Sequence, residues 1–425
     1  MEIKLPNGWE TIKTAYMFSF GRGISISREN MGEEGIPCIH YGEIHARYGF
    51  VVDPSKDKLP CIDQSYLKTA PKSLLSYGDF VFVGTSEDEE GSGNFTYLNS
   101  DVPAFAGSDT IILRPKSKIN HRFIAYMFDS LFFREQIRSA VYGVKVFHPT
   151  QTIIKKALGI YPSLVEQETI ASYLDSRTND IDKIVADLQS QAERLERYKR
   201  ELISKTVTKG LEKSVPLRDS SVDWIGKVPE HWEVTRIASI YNQRNTKVSD
   251  SDFPPLSVTK NGILPQLESV AFTIHGDNRK LVKAGDFVIN SRSDRRGSCG
   301  ISSLDGSVSL INLVLMPNKD IHNAYYNYVF RSIAFADEFY RWGYGIVDDL
   351  WSTKWSNMKR ISIQYPPLDE QIKIAKYLEE KLAHIETLIN DINLQIEKQK
   401  QYRQIVIHDA VTGKIKVSEG TGYGD

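Results

Sequence analysis

Six basic side chains, Arg279, Lys280, Lys283, Arg292, Arg295 and Arg296, fall within residues 277–296 against three acidic ones, with serine, asparagine and glycine between them. Arginine forks suit guanine edges and phosphate oxygens, and Ser and Asn bond either, so this composition suits nucleic-acid contact. A solvated charged loop has the same composition, and both readings stay open on residue types alone. Arg292, Ser293, Arg295 and Arg296 are candidate DNA-binding residues, with Lys260, Asn261 and Tyr344 from the same half of the chain. Near the N-terminus Tyr41, His45 and Arg47 are candidates in a polar, aromatic stretch with Glu43 that reads as a loop between glycines. Lys145 and His148 occupy a second expected loop. Glu87-Asp88-Glu89-Glu90 would repel phosphate and is expected to point away from it.

Residues for bond-making chemistry are not found. No G-x-x-x-x-G-K-[ST] loop occurs, so ATP-driven translocation is not expected of this chain. Phe20-Gly21-Arg22-Gly23 follows no βαβ unit and makes a poor nucleotide loop. The absence of any Asn-Pro dipeptide removes the Asn-Pro-Pro-aromatic motif of amino-methyltransferases, and Phe253-Pro254-Pro255-Leu256 lacks the amide that would hold a base. The nine histidines show no H-E-x-x-H spacing, and there is no G-x-S-x-G elbow. No catalytic residue or metal ligand is predicted. Cys38, Cys61 and Cys299 are odd in number and scattered, and read as free thiols.

The elements that must position the candidate residues come from a repeat. Tyr161-Pro162-Ser163-Leu164-Val165-Glu166-Gln167-Glu168-Thr169-Ile170-Ala171-Ser172-Tyr173-Leu174 matches Tyr365-Pro366-Pro367-Leu368-Asp369-Glu370-Gln371-Ile372-Lys373-Ile374-Ala375-Lys376-Tyr377-Leu378 at nine of fourteen positions, offset by 204. The offset continues ungapped through Ile181 and Ile385, Tyr198 and Tyr402, to Val207-Thr208 and Val411-Thr412. Shorter matches join Leu5-Pro6-Asn7-Gly8-Trp9-Glu10 to Val228-Pro229-Glu230-His231-Trp232-Glu233, and Gly78-Asp79-Phe80-Val81 to Gly285-Asp286-Phe287-Val288. Between these anchors the halves diverge, as expected of one frame built twice around two different surfaces.

Apolar residues recur at heptad-like spacing through Ile170, Leu174, Ile181, Ile184, Leu188, Leu195, Tyr198 and Leu202, and again through Ile374, Leu378, Ile385, Leu388, Ile392, Tyr402 and Val406. Each segment starts after Tyr-Pro and stops near glycine, at Gly210 and Gly413. They predict two helices of an antiparallel coiled coil, each ~65 Å long at ~1.5 Å per residue. Strand-like runs such as 78–83 and 110–113, and an amphipathic stretch at 123–128, predict mixed α/β domains on either side. The expected division is a first domain over 1–160, a helix over 161–211, a linker over 212–227, a second domain over 228–364, a second helix over 365–413 and a flexible tail over 414–425.

At 425 residues, 41% apolar and 25% charged, the chain has the balance of a globular protein of two or three domains. Its apolar runs fall far short of the ~20 residues of a membrane span, and the N-terminus lacks a signal-peptide pattern, so a cytoplasmic location is expected. A net charge of −1 argues mildly against a protein coated in nucleic acid but leaves room for a local basic face.

Nearly the whole chain resembles the specificity subunits of type I restriction-modification systems. The duplicated Tyr-Pro-x-Leu-x-Glu-Gln-x-x-Ile-Ala-x-Tyr-Leu helix opening carries the resemblance, with Asp223-Trp224-Ile225-Gly226-x-Val228-Pro229-x-His231-Trp232 at the start of the second domain. Leu5-Pro6-Asn7-Gly8-Trp9 is a shorter version in which Asn-Gly replaces Glu-His. The resemblance implies two target recognition domains in pseudo-twofold arrangement around the two helices. Each domain reads half of a bipartite, asymmetric double-stranded DNA target, and the helices set the spacing. It also implies two methyltransferase subunits and two restriction-translocase subunits as partners, which carry the S-adenosylmethionine, ATP and magnesium, with no cofactor on this chain. A duplicated coiled-coil adaptor binding proteins or glycans is the alternative, and an orphan DNA-modifying enzyme, which would bind S-adenosylmethionine unaided, is a third reading.

Overall fold

The computed structural model describes residues 4–143, 145–266, 276–292, 295–345 and 351–417. The chain forms two compact units, Met1–Leu188 with Gln395–Asp425, and Gln189–Leu394. The long helices span Leu164–Lys209 and Leu368–Val411, so the division falls inside both. Each unit holds the start of one helix and the end of the other. The helices expected as separate segments therefore belong to both units.

Within the first unit, Ile170 and Leu174 share a core with Val406, Ile407, Ala410 and Val411, and Arg403 pairs with Asp182 at 3.2 Å. Within the second, Val207 shares a core with Ile374, Leu378 and Ile385, and Lys199 pairs with Glu386 at 2.8 Å. In each unit the two helical portions thus run antiparallel, as the heptads predict. The seam is not fully covered, however. Ile184, Tyr198, Leu388 and Tyr402 stay exposed, because the strands and short helices of each unit cover only the helix ends in each core. Both helices stop as expected, with Gly210 and Gly413 at φ +70°, a conformation that glycine adopts without a Cβ penalty.

The frame recurs in both units. In the first, strands Phe18–Arg22, Thr110–Pro115, Phe80–Val83 and Phe95–Leu98 lie side by side, antiparallel, and Val51–Val52 adds a parallel edge. In the second, Tyr241–Arg244, Asn312–Pro317, Phe287–Asn290 and Cys299–Ile301 repeat that order, all antiparallel. A two-stranded ladder joins Glu10–Lys13 to Leu158–Tyr161, and Glu233–Arg236 to Ser362–Tyr365. Paired helices follow, His121–Asp129 with Leu131–Arg138 and Asn323–Arg331 with Ile333–Arg341, each second helix capped by a serine, Ser130 or Ser332. All of Phe123, Ile124, Ala125, Tyr126, Met127 and Phe128 are buried.

The repeated motifs are the joints of this frame. The Trp9 indole donates to Glu166 at 3.0 Å, and the Trp232 indole to Glu370 at 3.0 Å. Gln167 accepts from the Asn120 backbone at 3.0 Å and donates to Pro162 O, while Gln371 accepts from the His322 backbone at 2.9 Å and donates to Pro366 O. The Glu-Gln pair therefore locks each long-helix start to the opening tryptophan and to the head of the first of the paired short helices. In the Gly-Asp-Phe-Val repeats the carboxylates of Asp79 and Asp286 accept from the backbones of Ser76 and Lys283, closing the turn before each central strand.

Outside the frame the units diverge. The first adds a four-stranded sheet of Cys61–Ile62, Ile36–Ile39, Ala104–Ala106 and Leu74–Leu75. The second adds Lys247–Val248, Arg279–Val282 and Gly306–Val308, and a hairpin of Leu256–Thr259 with Gly262–Pro265. Arg279 and Lys280, expected in a charged stretch, are buried strand residues whose side chains donate to Ser307 and to Asn312 O. Phe20-Gly21-Arg22 lies in a strand and not in a nucleotide loop. The expected linker also has structure: Leu217–Asp219 pairs with Lys227–Pro229, and Arg218 donates to Trp232 O at 2.6 Å. Of the expected flexible tail, Lys414 bonds His408 Nε2 at 2.9 Å, and residues 418–425 lie outside the described residues.

Burial shifts three histidines of the first unit. His40 and His121 are held below the ordinary imidazole range by loss of solvent, and His408 by loss of solvent and by the adjacent Lys414. A base with a lowered folded pKa binds its proton later than the unfolded chain does. Stability is therefore present above about pH 6.5 and is lost as pH falls through that unfolded value. Urea midpoints are expected to drop between about pH 7.5 and about pH 5.5, less so for His121→Phe. A midpoint that rises on acidification would contradict this.

Candidate nucleic-acid interface

In the first unit two of the candidate residues, Tyr41 and His45, line a groove of about 890 Å³. The stretch expected as a loop is instead a short helix, Tyr41–Ala46, because the His40 ring accepts from Gly42 N and caps it. Tyr41 and His45 thereby face the groove, while Arg47 ends the helix, exposed, outside the lining. Lys145 and His148 are exposed on a segment pinned to the groove by Ser86 and Phe147, whose backbones exchange hydrogen bonds at 2.9 and 2.8 Å.

His45 does not present a free ring nitrogen. Arg134 donates to Asn94 Oδ1 at 2.9 Å, which turns the Asn94 amide nitrogen toward His45 Nδ1 at 3.0 Å. The other ring nitrogen, Nε2, faces Thr85 O at 3.1 Å and must donate, since a carbonyl only accepts. Both nitrogens are thus spent inside the protein. His45 thereby ties the Tyr41–Ala46 helix to Thr85 and Asn94.

Glu87, Asp88 and Glu90 line the same groove as Tyr41 and His45. They are balanced by Arg28, Arg134, Arg138, Lys400 and Arg403, none singled out from sequence. Arg138 donates to Glu90 O at 2.8 Å, and Arg134 and Arg403 hold Asp129. A usable signal existed: Arg134 and Arg138 stand one turn apart on a helix whose other face is Phe132, Phe133 and Ile137.

In the second unit Arg292 and Tyr344 are brought together by Ser352, which bridges to both. Lys354 Nζ lies 5.0 Å from the Tyr344 ring centre, Arg360 sits 5.4 Å over Trp342 and Arg296 6.0 Å over Tyr340. The result is a surface of cations interleaved with aromatic rings, able to meet phosphates and stack on exposed groups. Arg296 also pairs with Asp337, so its charge is partly committed, and Arg295 closes a turn by donating its N–H to Arg292 O at 3.2 Å. Lys260 and Asn261 form the exposed tip of the 256–265 hairpin, with Asn261 N bonded to Thr259 Oγ1. Ser293 lies outside the described residues. Lys354 and Arg360, across the chain from the basic stretch, were not legible as part of it.

Among the described residues no three His, Cys, Asp or Glu side chains stand close enough to hold a metal ion, and no helix is long and apolar enough to cross a membrane. Cys38, Cys61 and Cys299 are free thiols, and burial raises Cys38 and Cys299 to about 12.

No family model matches the chain. It is 24% identical to the MjaX type I restriction enzyme specificity subunit of Methanocaldococcus jannaschii, covering 97% of this chain and 95% of that one. It is 21% identical to the StySPI specificity subunit of Salmonella potsdam, covering 97% and 90%, and 20% identical to the EcoKI specificity subunit of Escherichia coli, covering 97% and 90%. Among solved structures, a chain from work on assembly and conformational transition of the type I R-M system matches with a TM-score of 0.69 at 14% identity, over 97% of this chain and 100% of that one. The HsdS subunit of Thermoanaerobacter tengcongensis matches with a TM-score of 0.53 at 14% identity, over 97% and 98%. The structures carry the fold, and the relatives carry the sequence likeness from end to end. From end to end the chain is similar to type I restriction enzyme specificity subunits in sequence, and it shares the fold of the solved HsdS structure.

Proposed function

We propose that this chain is the non-catalytic, DNA-sequence-specificity subunit of a type I restriction-modification complex. One frame is built twice, and each copy carries a different polar, charged and aromatic surface. That observation carries the reading, because two unlike readers on like frames suit an asymmetric, bipartite target. Tyr41 and the groove arginines serve the first half-site. Lys260, Asn261, Arg292, Arg295 and Tyr344 serve the second. Lys354 and Arg360 join them as phosphate or stacking contacts.

On this reading two methyltransferase subunits and two restriction-translocase subunits assemble on the chain in the cytoplasm. S-adenosylmethionine, ATP and magnesium reside with those partners. The chain selects the address and its partners modify or cut there. The exposed Tyr198 and Tyr402, identical in the two helices, suit a partner that docks on both copies alike.

A gel-shift titration of the chain co-purified with its methyltransferase partner tests this. Binding to a duplex carrying the methylated sequence is expected to weaken steeply with salt, as phosphate contacts require. An adaptor for proteins or glycans would show no salt-sensitive DNA binding.

A further inference from the structure

The end of the first long helix carries two exposed arginines one turn apart, Arg197 and Arg200. Within the second unit they line a groove of about 430 Å³ with Arg331. Arg331 ends the helix Asn323–Arg331 and donates to Lys260 O at 2.7 Å, which ties the groove to the hairpin tip that holds the candidate readers Lys260 and Asn261. Glu201 and Asp337 also line the groove, but Asp337 is already paired with Arg296. Three arginines thus face one carboxylate with no cation partner among the described residues, Glu201, beside the apolar Ile203, Ile333 and Ala334.

The repeat supplies an internal control. At the offset of 204, Arg197 and Arg200 correspond to Gln401 and Gln404, and at the equivalent helix corner Arg331-Ser332 corresponds to Asp129-Ser130. The frame folds without cations at these three positions, and the first copy carries its own helix cations elsewhere, with Lys400 and Arg403 lining its groove, so the placement of the charges is particular to each copy. A protein docking alike on both copies would use residues the copies share. An asymmetric DNA target does not treat them alike.

We propose that Arg197, Arg200 and Arg331 hold backbone phosphates of the double-stranded DNA beside the bases read by the second unit. This rests on the proposed function and gives the second unit a DNA contact on the first long helix, as Lys400 and Arg403 of the other long helix line the groove of the first unit. A guanidinium keeps its charge at any working pH, and its fork matches phosphate oxygens. Such contacts fix register and carry no base information.

The double variant Arg197→Gln with Arg200→Gln installs the residues that the other copy tolerates. The full-length variant, co-purified with its methyltransferase partner, is titrated with a target duplex and a scrambled duplex from about 50 to about 200 mM salt. Affinity is expected to fall about tenfold or more on both duplexes alike. The slope of log affinity against log salt should become shallower by about 0.9 for each phosphate released, with the methylated sequence unchanged. An unchanged slope overturns the inference. So does a loss confined to the target duplex, which would mark base readers, or lost co-purification with intact DNA binding, which would mark a protein-docking surface. A wild-type complex without salt-sensitive binding would instead overturn the proposed function itself.

Discussion

Trp232→Ala is expected to cost about 3 to 5 kcal/mol of unfolding free energy, the range for emptying a large aromatic site in a core. Trp232 is 1% exposed, packs in the core of the second unit, and stands where its ring would meet a Cβ at Gly210 at 3.3 Å. Its indole N–H is also the Glu370 joint. Trp9 makes the same hydrogen bond to Glu166 but is only partly buried, so Trp9→Ala should cost clearly less. Trp232→Phe separates the two contributions. It restores much of the packing and removes the donor, while His231 keeps Glu370 partnered. Urea unfolding followed by circular dichroism measures all three. Equal losses at Trp9 and Trp232 would mean that the joint, and not the burial, sets the cost.

Four residues inserted into the first long helix after Gln189 should change the spacing of the methylated half-sites and leave both half-sequences intact. Four residues add about 6 Å of helix, and a DNA step is about 3.4 Å, so the shift should not exceed about two base pairs. None of the candidate readers lies near this position, which is why the half-sequences should survive. Methylome sequencing reads both quantities at once. Altered half-sequences with unchanged spacing would sink the idea that helix length acts as a ruler.

The frame was legible because it is paid for twice in the same letters. Leu174 and Leu378, Glu166 and Glu370, Gln167 and Gln371 each do one job in two places, so repetition exposed them before any coordinates. Heptad spacing predicted two helices, and glycines marked their ends. It could not say that Tyr198 and Tyr402 remain exposed, since spacing places a residue on a stripe without saying how wide the covering surface is.

The candidate site was legible only in part. Composition drew attention to 277–296, but a strand buries Arg279 and Lys280 inside the fold, and their side chains meet backbone acceptors. Arg292 and Tyr344, distant in sequence, do share a surface, and the Ser352 bridge that joins them has no sequence signature. His45 has the residue type of a reader, yet Asn94 and Thr85 take both of its nitrogens. The run 87–90 was expected to face away because like charges repel. Arg134 and Arg138 sit beside it, and neighbours of opposite sign allow carboxylates to line the groove.

Exchange of residues 228–364 for the corresponding domain of another specificity subunit, followed by methylation mapping with the methyltransferase partner, tests the central claim most directly. Two independent readers on one repeated frame predict that one half-site changes while the other half-site keeps its sequence. A change in both halves, or in neither, would contradict the account.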